Sequence, residues 1–126
     1  MAELPETAVK GWENREGPLV LTTVDSSGMP NTIYVTCVKK IAGDKIVVAD
    51  NKMYKTRANI KAGSPVSLLY LTKDKKAFQI KGSVSYLTEG DIYDDMKNGW
   101  LDKKYPGQAA VVIHVREVYS GAEKLA

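Results

Sequence analysis

The chain is poor in the residues that most often announce chemistry. Its 126 residues include one cysteine and one histidine. A single thiol, Cys37, excludes an internal disulfide and leaves a cysteine-based zinc cluster without its ligands. It lies in the strand-like run "NTIYVTCVKK", where a buried, inert thiol is expected. The lone histidine, His114 in "AAVVIHVREV", would have to serve any Ser-His-Asp or Cys-His arrangement, and a structural or pairing role fits it better. No metal site is expected. No apolar run approaches the ~20 residues of a membrane-spanning helix, so no membrane partner is expected. "MAELPETAVKGWENREG" has acids near its start and no apolar centre, so it does not read as a signal peptide, and a cytoplasmic location is expected.

Aromatic residues are also few: two tryptophans, seven tyrosines and one phenylalanine. They do not alternate with basic residues along one strand, as a base-stacking platform would require. The net charge of +3 is mild and suits a small anionic ligand as well as it suits nucleic acid. A nucleic-acid partner is therefore not expected.

What is present reads as one domain, residues 1–126, without repeats or linkers. Residues 6–14 have helical spacing in Ala8, Val9 and Trp12, with Pro5 suited to the start. Strands are expected at 19–24, 31–41, 45–50, 66–72, 77–88 and 109–120, where β-branched and apolar residues concentrate between turn formers. In 77–88, Phe78, Ile80, Val84 and Tyr86 share one face, with Gly82 on the same parity. A bulge or a close approach of another backbone is expected there. A helix is expected after the third strand, closed by Gly63-Ser64-Pro65, and another over 89–105. Six strands joined mostly by hairpins predict an antiparallel sheet that closes, or nearly closes, into a small barrel flanked by about three helices. The continuous apolar runs 19–21, 46–49 and 111–113 imply burial on both faces, which points to a second layer from a partner subunit.

The stretch "VVADNKMYKTRANI", Val47 to Ile60, is the most informative for function. A strand hands over to a helix there, and the handover carries Lys52, Lys55, Thr56 and Arg57. With Asp50 or Asn51 as helix cap, the first turn offers free N–H groups to an anion near 52–56. Lys55 supplies a point charge, Thr56 a hydroxyl and Arg57 a possible bidentate fork. Two readings stay open on these residues alone: a phosphate site, or a solvated helix start with Thr56 and Ile60 packed at spacing four. If 31–41 pairs with 45–50, Asn31 and Thr32 come to lie beside Asp50 and Asn51, and polar groups converge from two strands and a helix start.

The ordered set "PNTIYV", "IVVADNKMYKTRANI", "PVSLLYL" and "AFQIKGSVSY" resembles the FMN-binding split β-barrel proteins of the pyridoxamine 5′-phosphate oxidase-like superfamily, in particular its small FMN-binding members. The resemblance spans about residues 15–120. It implies a six-stranded split barrel that dimerises, with FMN in clefts at the homodimer interface. It assigns Lys55 and Thr56 to the FMN phosphate, Asn31 and Thr32 to the phosphate or ribityl chain, and Arg57 as a further phosphate ligand. The backbone of Val48, Ala49, Asp50 and Asn51 would run along the isoalloxazine edge, with free N–H groups tuning the ring. The other subunit would complete the pocket with residues near 100–106 and its C-terminal tail, with Trp100 or Tyr105 as aromatic partner of the ring. Relatives that carry an aromatic residue after Asn-Thr differ from this chain, which has Ile33 there. No arginine follows Arg116, so an arginine-rich segment for pyridoxal phosphate is missing and vitamin B6 oxidation is not expected.

The function expected is that of a flavoprotein passing electrons to an unknown redox partner or acceptor. Two alternatives stand beside it: the same fold holding the deazaflavin F420 or haem, and a small basic β-barrel acting only as a binding module.

Overall fold

Strands are the largest class of regular structure in the computed structural model, which describes residues 2–126. After helix α1 (Glu6–Glu13) come β1 (Leu19–Val24), β2 (Pro30–Val35), β3 (Val38–Ala42) and β4 (Lys45–Asp50). Helix α2 (Lys55–Lys61) leads into β5 (Val66–Leu71) and β6 (Ala77–Leu87). A short helix α3 (Asp91–Asp94) continues as a π-helical turn (Asp95–Trp100), followed by β7 (Ala109–Ser120) and the two-residue β8 (Glu123–Lys124). Strand neighbours run β2-β1-β5-β6-β7-β4-β3, all antiparallel, with β8 beside β7. β2 and β3 are thus the two free edges of one curled sheet, and the gap between them is the split of a split β-barrel.

The run 31–41, expected as one strand, is two. β2 pairs with β1 from Leu19↔Val35 to Val24↔Pro30, whereas β3 pairs with β4 from Val38↔Val48 to Ala42↔Lys45. Thr36-Cys37 is the corner between them, so the chain crosses the split at the cysteine. The expected pairing of Asn31 and Thr32 with the end of β4 therefore does not form.

Inward-facing residues of the curled sheet make one core: Leu19 and Leu21 from β1, Ile46 and Val48 from β4, Leu68 and Tyr70 from β5, Ile80 from β6 and Val111 and Ile113 from β7. Helix α1 closes one end of it. Trp12 meets the edge of Tyr70 with ring centroids 5.2 Å apart, and the Tyr70 hydroxyl donates to the Ala8 carbonyl at 2.8 Å. Gly11 is required there, because a Cβ would sit 2.4 Å from the Phe78 ring. Helix α2 closes the opposite end, where Ile60 and Thr56 are buried and the Asn59 amide donates to Thr23 Oγ1 at 3.0 Å.

β4 and β7 are buried on both faces, as their unbroken apolar runs require. The covering layer belongs to this chain, however, and not to a partner. Val47, Ala49, Ala110 and Val112 on the outer face pack against Met96 and Leu101, with Ile92 and Trp100 around them. That packing also explains why the helix expected over 89–105 stops at Trp100: Leu101 takes extended angles (φ −75°, ψ 132°) that send its side chain into this second core.

β6 alternates as expected, and Gly82 fulfils both halves of its expectation. The register with β7 shifts between Lys81 and Gly82, leaving Arg116 as the extra residue of a bulge. A Cβ on Gly82 would lie 2.0 Å from the His114 carbonyl oxygen.

Candidate functional site

The handover from β4 to α2 is built around one carboxylate. Asp50 is fully buried, and its oxygens accept four hydrogen bonds. Arg57 Nε and a guanidinium NH2 donate at 2.7 and 3.1 Å, the Tyr86 hydroxyl at 2.6 Å and the Met53 N–H at 2.9 Å. Burial by itself would raise the Asp50 carboxyl. The bonds from Arg57, Tyr86 and Met53 outweigh it and hold the group below the usual carboxylate range. The same contact holds Arg57 above its ordinary value. Burial first, and the Asp50 carboxylate second, push the Tyr86 phenol up. Arg57 also donates to Gln108 Oε1 at 2.8 Å.

Two expectations are corrected here. Neither Asp50 nor Asn51 caps α2: the N-cap position is Tyr54, which makes no side-chain cap bond, and Asp50 takes the Met53 N–H one residue earlier. Arg57, expected as a free fork at the α2 start, instead gives its Nε and one NH2 to Asp50.

Asn51 ties in a second loop. Its Oδ1 accepts the Gly107 N–H at 3.0 Å, its carbonyl accepts Gln108 Nε2 at 3.2 Å, and the Asp50 carbonyl accepts the Gln108 N–H at 2.8 Å. Lys97 Nζ donates to the Pro106 carbonyl from the π-helical turn. Residues 104–106 are thereby brought to the site by their own chain, where the resemblance assigned such residues to the other subunit. The C-terminal residues Leu125 and Ala126 pack on the inner core of this chain.

Between the free edge of β2 and the start of α2 these loops leave a cleft of about 650 Å³. Asn31, Lys55 and Thr56 form one side of it, Ala49, Asn51, Lys52 and Met53 the base, and Lys104, Tyr105 and Pro106 the other side. Residues 33–37, from Ile33 to Cys37, and Tyr54 complete the lining. Asn31 and Thr56 do meet, by a route other than strand pairing: Asn31 Nδ2 donates to Thr56 Oγ1 at 3.0 Å. With its oxygen engaged as acceptor, the Thr56 hydroxyl has its proton to give elsewhere. Lys52, Lys55 and Lys104 all line the cleft, none is ion-paired among the described residues, and no Asp or Glu is among the lining residues. Uncompensated positive charge beside hydroxyl and amide donors makes an environment for an anion.

Of the remaining expected residues, Thr32, Val48, Asp50, Arg57 and Trp100 fall outside the lining. Thr32 alternates to the outer face of β2, where its hydroxyl lies 3.1 Å from that of Thr22. Val48 points into the inner core. The Ala49 N–H is not free for a ring, because it donates to the Cys37 carbonyl at 2.9 Å, one step beyond the β3–β4 ladder. Trp100 packs on the outer core, and its indole N–H is buried without an acceptor among the described residues. Tyr105 is the aromatic residue of that segment that reaches the cleft. Cys37 was not legible as a site residue, and Lys104 was expected only within the segment 100–106 that the resemblance assigned to the other subunit; the sequence signal for its place on this chain was Pro106-Gly107 as the turn that folds this loop back.

A family model described as pyridoxamine 5′-phosphate oxidase matches residues 5–122. Among curated proteins, an uncharacterised protein of Methanocaldococcus jannaschii (MJ0282) is 29% identical over 125 residues, covering 95% of this chain and 82% of its own. Among solved structures, HupZ of Group A Streptococcus superposes with a TM-score of 0.83 at 20% identity, covering 98% of each chain. An FMN-binding protein of Syntrophomonas wolfei gives 0.72 at 24% identity, covering 81% of this chain and 75% of that one. An F420 reductase gives 0.69 at 18%, covering 92% and 98%. At these identities the structural matches speak for the fold.

Proposed function

Because the chain belongs to the pyridoxamine 5′-phosphate oxidase family, we infer that the cleft between β2 and α2 holds FMN and that the protein is a flavoprotein serving electron transfer or reduction of an acceptor. The observation that carries this reading is a cleft with three lysines, no carboxylate and a threonine hydroxyl set by Asn31. The donor set fits a phosphate monoester. Lys55 brings the charge, Thr56 a hydroxyl donor, and the Asn31 amide fixes that hydroxyl in place. The cleft volume lies within the usual range for cofactor sites, roughly 300–1,000 Å³, and Ile33, Met53 and Tyr105 give it apolar walls for a ring system. When bound, the flavin supplies the redox chemistry, and the protein's part is to hold and orient it. Asp50 and Arg57 act indirectly, by locking the loop that presents Lys55 and Thr56.

The same reading makes the protein a homodimer. Tyr34, Val20, Leu69 and Gln79 stand side by side across β2, β1, β5 and β6 on the outer face. Tyr34 is 75% exposed and Leu69 40%, so this row presents apolar surface to solvent. Tyr34 also lines the cleft, so a second copy seated on this row adjoins the cofactor. A cytoplasmic setting agrees with Cys37 as a free thiol.

F420 is the second reading, because its phosphate would meet the same Lys55 and Thr56. The absorption spectrum and mass of the ligand that co-purifies decide between them. Oxidised FMN bound in near-equimolar amount is expected. A deazaflavin spectrum refutes the FMN assignment, and a preparation that carries no chromophore and takes up neither cofactor refutes both.

A further inference from the structure

A second depression lies apart from the cleft and shares no lining residue with it. It arises from unequal strand lengths. Pairing between β5 and β6 ends at Val66↔Gly82, but β6 runs on to Leu87. Pairing between β1 and β5 ends at Thr22↔Ser67, but β1 runs on to Val24. A notch is left between β1 and β6 beyond the start of β5. The end of α2 and the turn after it, Ile60, Gly63 and Ser64, close its back. The groove measures about 640 Å³.

Its chemistry is uneven along its length. Val24, Ile60, Pro65, Val66 and Val84 give an apolar floor. At the outer rim stand Lys81 and Arg116. The bulge opposite Lys81–Gly82 puts Arg116 there, as the residue of β7 without a counterpart on β6. Both side chains are exposed, and neither is ion-paired among the described residues. Lys81 Nζ sits 5.1 Å from the centre of the Tyr119 ring, which keeps it at the rim. Between the cations and the floor lie hydroxyls. Ser67 Oγ already accepts from Gln79 Nε2 at 2.8 Å and so has its proton to donate, and Ser83 lines the same groove. The one carboxylate of the lining, Glu117, stands opposite Lys81 on β7; the Tyr119 hydroxyl first, and the Lys124 and Lys81 charges after it, hold it below the usual carboxylate range, so it keeps its negative charge. Two exposed cations against one carboxylate leave the groove net positive, and with hydroxyl donors over an apolar floor it is complementary to one kind of small molecule.

We propose that this groove is a binding site for a small organic carboxylate. Its carboxylate lies between Lys81 and Arg116 with the Ser67 hydroxyl as a further donor, and its apolar body rests on Val66, Val84 and Ile60. Arg116 contributes the fork that matches a carboxylate, and Lys81 the point charge.

The test uses the full chain loaded with FMN, so that the cleft is blocked, and follows backbone amide signals by heteronuclear NMR. Benzoate is the probe, with benzamide as its neutral counterpart. The expected result is saturable shifts at Ser67, Lys81, Ser83 and Arg116 with benzoate and none with benzamide. Lys81→Ala with Arg116→Ala is expected to weaken benzoate by at least about tenfold, because two charge-assisted bonds are lost. Lys81→Gln with Arg116→Gln, which keeps the aliphatic stems, is expected to weaken it equally. FMN affinity is expected to stay the same in both variants, which separates this site from the cleft. Absence of saturable shifts with benzoate, equal binding of benzamide, or undiminished benzoate affinity in the charge-removed variants overturns the proposal.

Discussion

Asp50→Asn is the perturbation that reaches deepest into this structure. The side chain is fully buried and receives Arg57, Tyr86 and the Met53 N–H, four hydrogen bonds on two oxygens. Asparagine keeps the shape and one acceptor oxygen. It removes the charge and turns an NH2 group toward donors that have no use for it. Breaking a buried ion pair by removing one partner costs about 3–5 kcal/mol. Arg57 is 26% exposed, so its guanidinium recovers some water, and the lower end of that range is the expected loss. About 3 kcal/mol lowers the melting temperature by roughly 10 °C in a domain of this size. Urea unfolding monitored by circular dichroism reads the change as a fall in midpoint at constant slope.

The pH dependence supplies a second readout. Asp50 has a folded-state pKa below its unfolded value, so its contribution is fully present above the ordinary carboxylate range, about pH 4, and is lost as pH falls through the folded value. The variant is expected to be less stable at neutral pH and to lose less on acidification than the parent. An Asp50→Asn protein within about 0.5 kcal/mol of the parent, with the same acid profile, refutes the assignment of this network as the lock of the β4–α2 junction.

Two further outcomes follow from packing. Gly82→Ala places a methyl 2.0 Å from the His114 carbonyl, a backbone atom that cannot rotate away, so a loss of about 3 kcal/mol or more in urea unfolding is expected. An unchanged midpoint contradicts the bulge geometry. Tyr34→Asp with Leu69→Asp puts charge on the exposed row of the outer face, and light scattering is expected to find the parent dimeric and the variant monomeric. A parent that is already monomeric removes the dimer from the account.

That the barrel is split came from the resemblance, but most strand positions, the α1 and α2 helices and an antiparallel barrel were legible because alternation and turn residues are local signals that the fold obeys. The inward face of β6, the special position of Gly82 and the pairing of Lys55 with Thr56 in one small neighbourhood belong to that class. Other features depend on groups far apart in sequence. Whether residues 31–41 form one strand or two is decided by the crossing of the split at Cys37. That the layer over β4 comes from Met96 and Leu101 is a tertiary fact, and burial on both faces reads the same whether the cover is a helix of the chain or another subunit. Arg57 reads as a ligand in "KTRANI" because nothing in that string shows Asp50 turned back on it. Trp100 and Tyr105 both pack on the outer core, but Tyr105, beyond the extended turn at Leu101, also lines the cleft and Trp100 does not.

The central claim is that the phosphate of a flavin lies on Lys55 and Thr56. It is tested most directly by titrating the apoprotein with FMN and following the loss of flavin fluorescence, in the parent and in Lys55→Ala with Thr56→Val. Two bonds to a charged group are worth enough that FMN affinity is expected to fall at least about 100-fold, with the far-ultraviolet circular dichroism unchanged. Riboflavin, which lacks the phosphate, is expected to bind parent and variant alike. A variant that retains full FMN affinity, or one that loses riboflavin as steeply as FMN, contradicts the claim.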